Sequence, residues 1–425
     1  MKYRHRVLIL LFALSMITFL DRVCLSVAGP RMQQELTIGP GTWGWVVGIF
    51  ALAYGIFQIP VGILGDRIGA RKVLFAIVLW WSASTWLTGS VSSIPLLLGV
   101  RFLFGAGEGG AYPNSSSAIA RWFPISERGR ALGFIWMASR LGGAVTPFLI
   151  IPLQAHYGWR LGFHLLGLLG MTWAAVWFLW FRDWPMEKKN ISQEELETIG
   201  QGHVKIRYTP IPWRQAFRSW NFWAILLVYH TLGYGGYFYL SWLNTYLVKG
   251  RGFQEKDIIF LSSLPFIFGA IANVLGGYTS DFLVRRIGLK WSRRAIGGLG
   301  MAFSAVFMLA AALSRNRIAA VVFLALGAGA SDFLLPTCWA TCLDIGKKHA
   351  GAISASMNAA GQISSFLSGV LFGYAVLAWK SYDSPIIPIA GILFLGALLW
   401  LTIDATKELV PESDISSMTS ADAKQ

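Results

Sequence analysis

The stretch VLILLFALSMITFLDRVCLSVA, residues 7–28, is uncharged except for two adjacent residues, Asp21 and Arg22. An apolar run of about 20 residues is long enough to cross a bilayer as an α-helix. A charged side chain inside such a run is energetically costly and usually functional. Residues 7–28 therefore predict a membrane-spanning helix that carries part of a functional site.

The whole chain has the composition of a membrane protein. Of its 425 residues, 55% are hydrophobic and only 13% are charged, whereas about 25% are charged in a typical soluble domain. The first apolar run is too long for a cleaved signal peptide, so we expect it to remain as helix 1. We predict twelve spans, which start near Val7, Trp43, Val73, Pro95, Ala131, Trp159, Trp220, Ile258, Ala295, Ile318, Ala350 and Pro385.

The distribution of basic residues predicts the topology. The chain has 36 Lys and Arg against 21 Asp and Glu, a net charge of +15. With twelve spans, both termini lie on one side of the membrane. If that side is the cytoplasm, most basic residues fall in cytoplasmic loops, as the positive-inside rule requires. The charge therefore predicts cytoplasmic termini in a lipid bilayer and requires no nucleic-acid partner.

A long polar connection divides the chain. We predict an N-terminal six-helix bundle over residues 1–182, a cytoplasmic linker over 183–219, a C-terminal six-helix bundle over 220–405 and a disordered cytoplasmic tail over 406–425. Within the linker, ISQEELETI predicts a surface helix capped by Ser192. The fold class is thus an all-α membrane protein with two pseudo-symmetric halves.

The two halves contain similar loops. GILGDRIGARK follows the second span and GGYTSDFLVRR follows the eighth, which places Asp66 and Asp281 215 positions apart. Internal repeats of this kind are typical of secondary transporters, in which the substrate site lies between the repeats.

GILGDRIGARK resembles the signature loop of the major facilitator superfamily. FLDRVCLSVA, RFLFGAGEGGAYPNSS and RWFPISERGRA resemble its anion:cation symporter family, which includes bacterial hexuronate, aldonate and glucarate transporters and the vesicular glutamate and sialin proteins. The resemblance implies the major facilitator fold and secondary transport. Animal members usually have a longer loop after helix 1, so we expect a bacterial inner-membrane protein.

The resemblance also implies a conformational latch. In the family, the signature loop holds the two halves together in the outward-facing state. The residues of this chain that we assign to the latch are Gly62, Asp66, Gly69, Arg71 and Asp281. The alternative is a solvated loop that obeys the positive-inside rule; it explains the basic residues but not the acid and the glycine spacing.

Three acids and three bases fall inside predicted spans: Asp21, Glu108, Asp332, Arg22, Arg101 and Arg140. Arg101 and Glu108 lie two turns apart on one helix, about 10 Å along its axis, so each needs a partner elsewhere. The small residues of GAGEGG allow another helix to approach Glu108. Purely structural pairing of the six charges is the alternative.

Adjacent side chains on a helix point about 100° apart, so Asp21 and Arg22 are poor partners for each other. By the resemblance, Arg22 binds a substrate carboxylate, while Asp21 and Glu108 take part in proton coupling. An arginine suits a carboxylate because its planar fork donates two hydrogen bonds. We expect Arg140 to line the cavity or pair with a buried acid, and Asp332 to lie near the outer end of its helix, in contact with water.

A polyhydroxylated anion also needs amides, hydroxyls and an aromatic face. Besides Arg22, the predicted substrate-binding residues are Tyr54, Gln58, Arg101, Tyr237, Ser241, Asn244, Trp339, Asn358 and Gln362. The resemblance supports Tyr54, Trp339 and Asn358 in particular. For the aromatic residues, the alternative is bundle packing or a membrane-interface belt.

The sequence thus predicts a proton-driven importer of an organic anion, specifically a sugar acid such as an aldonate or hexuronate. An anion exchanger or a drug or cation antiporter is the alternative. No enzymatic constellation such as HExxH is present, so we predict no enzyme activity. We expect no cofactor or metal, with protons as the coupling ion and sodium left open, and a monomeric protein.

Overall fold

A computed structural model describes residues 2–200 and 212–409, and in these ranges the regular secondary structure is helical. The helices before the linker are α1 (Tyr3–Glu35), α2 (Pro40–Ile68), α3 (Ala70–Thr88), α4 (Ile94–Glu108), α5 (Ala111–Trp122), α6 (Ile125–Tyr157) and α7 (Trp159–Trp180). The next are α8 (Gln193–Gly200), α9 (Trp213–Ala216), α10 (Trp220–Ser241), α11 (Leu243–Thr245), α12 (Ile258–Leu261), α13 (Leu264–Ile287), α14 (Leu289–Leu313), α15 (Arg317–Gly346), α16 (Ala350–Trp379) and α17 (Ile386–Trp400).

Within the described ranges, eight helical segments are long and apolar enough to cross a membrane, and α17 is a shorter apolar helix. The predicted span at residues 7–28 lies inside α1, which extends beyond it at both ends. The all-helical membrane architecture predicted from the composition is therefore present.

Single glycines separate three pairs of consecutive helices. Gly69, Gly158 and Gly288 have φ values of 93°, 79° and 80°. Each ends one helix and begins the next, so α2 meets α3, α6 meets α7 and α13 meets α14 at a sharp turn. Residues with a Cβ rarely adopt this backbone conformation, which is why glycine stands at each turn.

By internal packing the chain forms two compact units. Unit 1 comprises Met1–Lys205, Tyr237–Ile267 and Ser365–Pro385, and unit 2 comprises Ile206–Gly236, Phe268–Ser364 and Ile386–Gln425. Unit 1 therefore contains two segments from the predicted C-terminal half. The division at a 183–219 linker, and the disordered tail, remain predictions; residues 201–211 and 410–425 lie outside the described residues.

In unit 1, α1 packs against α6 and α7, α2 against α4, and α3 against α7. Trp173, Trp177 and Phe181 form a stacked aromatic column with centroid distances of 5.1 and 3.8 Å. In unit 2, α14 packs against α15 and α17. There, the absence of a side chain at Gly297 lets the indole of Trp400 lie directly against the α14 backbone.

The linker contributes to unit 1 through α8. The predicted cap is confirmed, since the Ser192 hydroxyl accepts a hydrogen bond of 3.2 Å from the Glu195 amide. The Glu195 carboxylate accepts hydrogen bonds of 3.0 and 2.9 Å from the amides of Tyr3 and Arg4. A carboxylate is favoured at this position because the first amides of a helix lack intrahelical acceptors. The linker helix thus fixes the start of α1.

The positive-φ glycines also fix the register between the two repeats. Gly69 and Gly288 are 219 positions apart and have the same role. With that register, Asp281 lies one helical turn before the position equivalent to Asp66, and Arg285 occupies the equivalent position. The separation of 215 positions between Asp66 and Asp281 is therefore about one helical turn shorter than the 219 positions between the two glycines. The reason is that α13 extends further beyond its aspartate than α2 does.

Candidate functional site

Arg22 lies at the centre of a buried cluster in unit 1. Its Nε donates a hydrogen bond of 2.8 Å to Oε1 of Glu108, whose side chain is completely buried. The guanidinium carbon lies 5.4, 5.2 and 4.9 Å from the ring centroids of Phe19, Phe50 and Tyr54. The structure thus places a predicted substrate ligand against a predicted proton-coupling acid and against the predicted aromatic residue Tyr54.

The ion pair between Arg22 and Glu108 is incomplete. Nη2 of Arg22 and Oε2 of Glu108 are both buried without a hydrogen-bond partner in the described part of the chain. An arginine has five N–H donors and can bind a carboxylate through two parallel hydrogen bonds. The contact with Glu108 therefore leaves donor capacity on Arg22.

Asp21 takes no part in this ion pair. Its residue is 1% exposed, and neither carboxylate oxygen accepts a hydrogen bond from the described residues. The geometric prediction that Asp21 and Arg22 do not serve each other is confirmed, since Arg22 pairs with Glu108 on α4 instead. An ionised carboxylate in such surroundings is costly, and binding a proton removes that cost.

The glycines around Glu108 bring α2 against α4. A Cβ added to Gly105 would lie 2.3 Å from the Phe50 carbonyl oxygen, and one added to Gly109 would lie 2.7 Å from the Tyr54 carbonyl oxygen. The predicted close approach of another helix is present. It delivers Phe50 and Tyr54 to Arg22, so the local structure follows directly from the GAGEGG sequence.

Arg101 forms a second cationic position near the same aromatic side chains. It is 3% exposed, and its guanidinium carbon lies 5.3 and 4.4 Å from the centroids of Phe50 and Phe104. Phe50 thus contacts both Arg22 and Arg101. Two guanidinium groups on one ring create a region that favours anions.

Three further predicted ligands belong to unit 1 but bind protein atoms. The Tyr237 hydroxyl donates a 2.5 Å hydrogen bond to the Val47 carbonyl. Ser241 donates to the carbonyl of Tyr237 at 2.6 Å, within its own helix. Asn244 donates to the Ser26 hydroxyl at 3.1 Å. In this conformation Tyr237 joins the segment 237–245 to α2, and Asn244 joins it to α1.

Unit 2 contains a separate group of predicted ligands. Trp339 on α15 meets Tyr229 on α10 edge to face, with ring centroids 6.3 Å apart. Tyr229 also packs over Gly361, between Asn358 and Gln362 on α16. Gln58, the remaining predicted ligand, lies in unit 1, where its backbone packs against Gly109 at the end of α4.

The signature loop is held by a residue that sequence reasoning missed. Oδ1 of Asp183 accepts hydrogen bonds of 3.1 Å from the Arg71 amide and from Arg121 Nη1. The Arg71 side chain donates to the carbonyl of Phe178 at 2.9 and 2.8 Å. The loop after α2 is thus tied to the end of α7.

For the other latch residues, the structure gives positions only. Gly62 faces Pro113, Gly69 forms the turn, and Asp281 is exposed. The side chain of Asp66 lies outside the described residues, so its predicted role remains a prediction.

Two charges with open roles are now located. The guanidinium carbon of Arg140 lies 5.7 Å from the centroid of Phe19, the ring that also faces Arg22. Asp332 lies in the middle of α15 and is 8% exposed, so the expectation of a water-exposed position near the helix end is wrong. Its carboxylate packs against Gly269, which leaves room for it on α13.

The family model for the Major Facilitator Superfamily matches residues 11–369. The chain belongs to the major facilitator superfamily. The predicted superfamily is thereby confirmed, and because the family and the relatives below are transporters, so is the prediction that the protein is not an enzyme.

Curated superfamily relatives cover nearly the whole chain. A probable sulfoacetate transporter of Cupriavidus necator is 34% identical over 95% of this chain and 94% of that protein. A probable L-galactonate transporter of Escherichia coli is 30% identical over 93% and 88%. A probable galactarate/D-glucarate transporter of the same species is 28% identical over 94% and 93%. Transport of anions, including sugar acids, is thus the shared activity of these relatives.

The fold of the superfamily is also seen in a solved structure. The crystal structure of a bacterial homologue of the human lysosomal transporter Spinster, in an inward-facing and unoccupied conformation, aligns with a TM-score of 0.76. It shares 19% sequence identity, and the alignment covers 95% of this chain and 97% of that one. This likeness establishes the fold.

Two further sets of contacts link distant segments of unit 1, and superfamily membership alone does not predict them. Arg31 donates to both carboxylate oxygens of Glu255, at 2.8 and 2.9 Å from Nε and 2.7 Å from Nη2, and its Nη1 donates to the Gln154 carbonyl at 2.6 Å. Ser15, Tyr112 and Ser139 form a hydroxyl network with distances of 2.7 to 3.2 Å. These residues show no sequence pattern, because their partners lie on helices far apart in the chain.

Proposed function

We propose that the protein is a proton-coupled symporter that imports an organic anion, specifically a sugar acid, across the bacterial inner membrane by alternating access. The observation that carries this proposal is the buried pair of Arg22 and Glu108, 2.8 Å apart, with unused donors on the arginine. Sugar-acid transport by two of the relatives supports the substrate class.

We infer twelve membrane crossings with both termini in the cytoplasm. The crossings correspond to α1, α2, α3, α4–α5, α6, α7, α10–α11, α12–α13, α14, α15, α16 and α17. The distribution of Lys and Arg supports this orientation. We expect the protein to act as a monomer.

The proposed coupling rests on competition for Arg22. While Glu108 is ionised, its carboxylate occupies part of the guanidinium. Protonation removes that charge and releases Nε, so the substrate carboxylate can take both sides of the fork. When Glu108 loses its proton again, it competes with the bound anion and promotes its release. Asp21, buried without a hydrogen-bond partner among the described residues, is proposed as a second proton carrier.

In this scheme the arginine binds anions well only when the acid is protonated, so anion and proton bind together. That is the thermodynamic requirement of symport, because each ligand increases the affinity for the other. The second guanidinium, Arg101, contacts the same Phe50 ring and would attract a further anionic or hydroxyl group of the substrate.

Uptake by proteoliposomes tests the proposal. Labelled galactonate, glucarate and a hexuronate are supplied outside, with and without an inward proton gradient. We expect accumulation only with the gradient, and Glu108→Gln should bind substrate but not respond to the gradient. Uptake that is indifferent to the gradient would indicate exchange, and uptake driven by an outward proton gradient would indicate antiport.

A small sulfonate is the second candidate substrate. The relative named as a probable sulfoacetate transporter is 34% identical over 95% of this chain, and sulfoacetate carries two anionic groups for which Arg22 and Arg101 are suitable partners. Adding sulfoacetate to the sugar-acid uptake assay separates the two candidates. A C2 sulfonate and a six-carbon sugar acid would inhibit each other's uptake only if the protein binds both.

A further inference from the structure

Unit 2 contains an apolar groove with no role in the proposed transport site. It has a volume of about 600 Å³ and lies between α13 and α14, with α15 as its floor. Phe268, Leu275 and Leu283 line it along α13, and Gly329 and Ala330 form part of the floor. From Phe268 to Leu283 the groove extends over about 22 Å at ~1.5 Å per residue, which exceeds the hydrocarbon depth of one leaflet, about 15 Å.

The internal repeat explains why this groove exists. In the register set by Gly69 and Gly288, Trp80 and Trp81 of α3 correspond to Leu299 and Gly300 of α14. The Trp80 indole donates a 2.9 Å hydrogen bond to the Leu103 carbonyl on α4.

A Cβ on the neighbouring Gly107 would lie 2.5 Å from the Trp80 ring and 3.2 Å from the Cβ and the amide nitrogen of Trp81, so the Trp80 indole covers the α4 backbone in the first repeat. In the second repeat, Leu299 is 59% exposed and Gly300 has no side chain. A Cβ added to Gly300 would lie 3.0 Å from the Leu334 side chain, so α14 packs closely against α15 at that position. The groove lies beside the smaller Leu299 side chain, at the position where the first repeat has the Trp80 indole.

One end of the groove is basic and aromatic. Arg285 and Arg286 follow Leu283 in the last turn of α13, and both are exposed. The Arg286 guanidinium carbon lies 5.4 Å from the ring centroid of Phe282. Trp291, in the first turn of α14, is 59% exposed. Exposed tryptophans and arginines beside an apolar surface are typical of the level of lipid headgroups.

We propose that this groove is a binding site for an anionic phospholipid, with an acyl chain between α13 and α14 and the headgroup phosphate at Arg285 and Arg286. The apolar lining matches the chain, and the two arginines match the charge. Basic side chains at the cytoplasmic surface attract anionic lipids. The site lies on the membrane-facing surface of unit 2, so it is independent of the substrate proposal.

Native mass spectrometry of the full-length protein tests this. The purified protein is exposed to equal amounts of phosphatidylglycerol and phosphatidylethanolamine with identical chains, and the retained lipid is measured. We expect selective retention of phosphatidylglycerol. Equal retention of both lipids would overturn the anionic selectivity.

Leu299→Trp places an indole where the first repeat has Trp80 and should abolish retention. Leu395→Trp, on the exposed face of α17, is the matched control and should retain the lipid. Because Leu299 is exposed, the substitution is compatible with folding, which thermal melting verifies. Equal retention by these two variants would exclude the groove as the site.

Arg285→Gln with Arg286→Gln should reduce the preference for phosphatidylglycerol roughly thirtyfold. Each basic side chain near an anionic surface contributes a factor of about five to the affinity, and the double variant removes two of them. Arg214→Gln with Arg218→Gln removes two exposed arginines elsewhere and should leave the preference unchanged. An unchanged preference in the first double variant would overturn the headgroup contact. A dimer mass that disappears in Leu299→Trp would instead identify the groove as a contact between two chains.

Discussion

At the scale of the residue, Arg22 combines two kinds of contact that only an arginine makes together. Its planar guanidinium faces the rings of Phe19, Phe50 and Tyr54 while its Nε binds Glu108. A lysine ammonium would keep the charge but would lose the planar group that stacks on the rings and donates two parallel hydrogen bonds. The identity of this side chain, and not its charge alone, is therefore expected to matter.

Arg22→Lys should raise the KM for the substrate about tenfold to a hundredfold, because charge-assisted hydrogen bonds contribute about 1.5–3 kcal/mol each. Uptake kinetics in proteoliposomes measure this. Arg160→Lys, which alters a more exposed pair with Glu35, is the control and should leave KM unchanged. An unaffected KM in Arg22→Lys would contradict a forked contact with the substrate.

Asp21 has a different expected role because it is buried without a hydrogen-bond partner in the described part of the chain. Asp21→Asn should preserve substrate exchange across the membrane but abolish accumulation driven by a proton gradient, since an amide cannot carry the proton. Counterflow and gradient-driven uptake measure the two activities separately. If Asp21→Asn fails in both assays, as Arg22→Ala should, the two residues act as one structural unit.

At the scale of the element, the α4 glycines determine how α2 reaches the site. Gly105 and Gly109 let the Phe50 and Tyr54 carbonyls lie against α4. This is the small-residue packing by which membrane helices approach closely. Two of the three aromatic neighbours of Arg22, Phe50 and Tyr54, are thus positioned by the glycines on either side of Glu108.

Gly105→Ala should destabilise the protein by about 1–3 kcal/mol, the usual cost of overpacking, because its Cβ would lie 2.3 Å from the Phe50 carbonyl oxygen. On the same helix, a Cβ added to Gly99 would meet no atom of the described residues within 4 Å beyond its own helix backbone, so Gly99→Ala should be neutral or stabilising. Thermal melting in detergent compares the two. Similar melting temperatures would mean that α2 and α4 separate at little cost.

At the scale of the whole molecule, transport requires contacts that form in one conformation and break in another. The ion pair between Arg31 and Glu255 joins α1 to the segment before α12. Gln33 adds a hydrogen bond of 3.0 Å to Thr245 and accepts one of 3.0 Å from Lys249. With the cytoplasmic termini proposed above, these contacts would lie at the periplasmic end of unit 1 and close it.

Glu255→Gln should weaken this closure. The probe is Ser26→Cys in a background where Cys24, Cys338 and Cys342 are replaced, since Ser26 is completely buried beside Asn244. Thiol labelling from the periplasmic side should become severalfold faster in Glu255→Gln. Glu35→Gln breaks a pair with Arg160 within the N-terminal helices and should not change the rate. Equal rates in both variants would exclude Glu255 from the gate.

Much of the architecture and part of the site could be predicted from the sequence. Apolar runs of span length required membrane helices, and helical geometry separated Asp21 from Arg22, because both depend only on neighbouring residues. The glycines of GAGEGG likewise indicated a close helix. Ser192 was recognised as a cap because its partner, Glu195, is three residues away.

Contacts between distant segments could not be predicted, because no local pattern encodes them. Only the tertiary structure pairs Arg22 with Glu108 across 86 positions and Arg31 with Glu255 across 224. It also moves Asp332 from an expected wet helix end to a buried position against Gly269. The sequence by itself determined which segments enter the membrane, since transfer free energy is a property of each segment. The tertiary structure decided which charges meet, since that depends on how the helices pack.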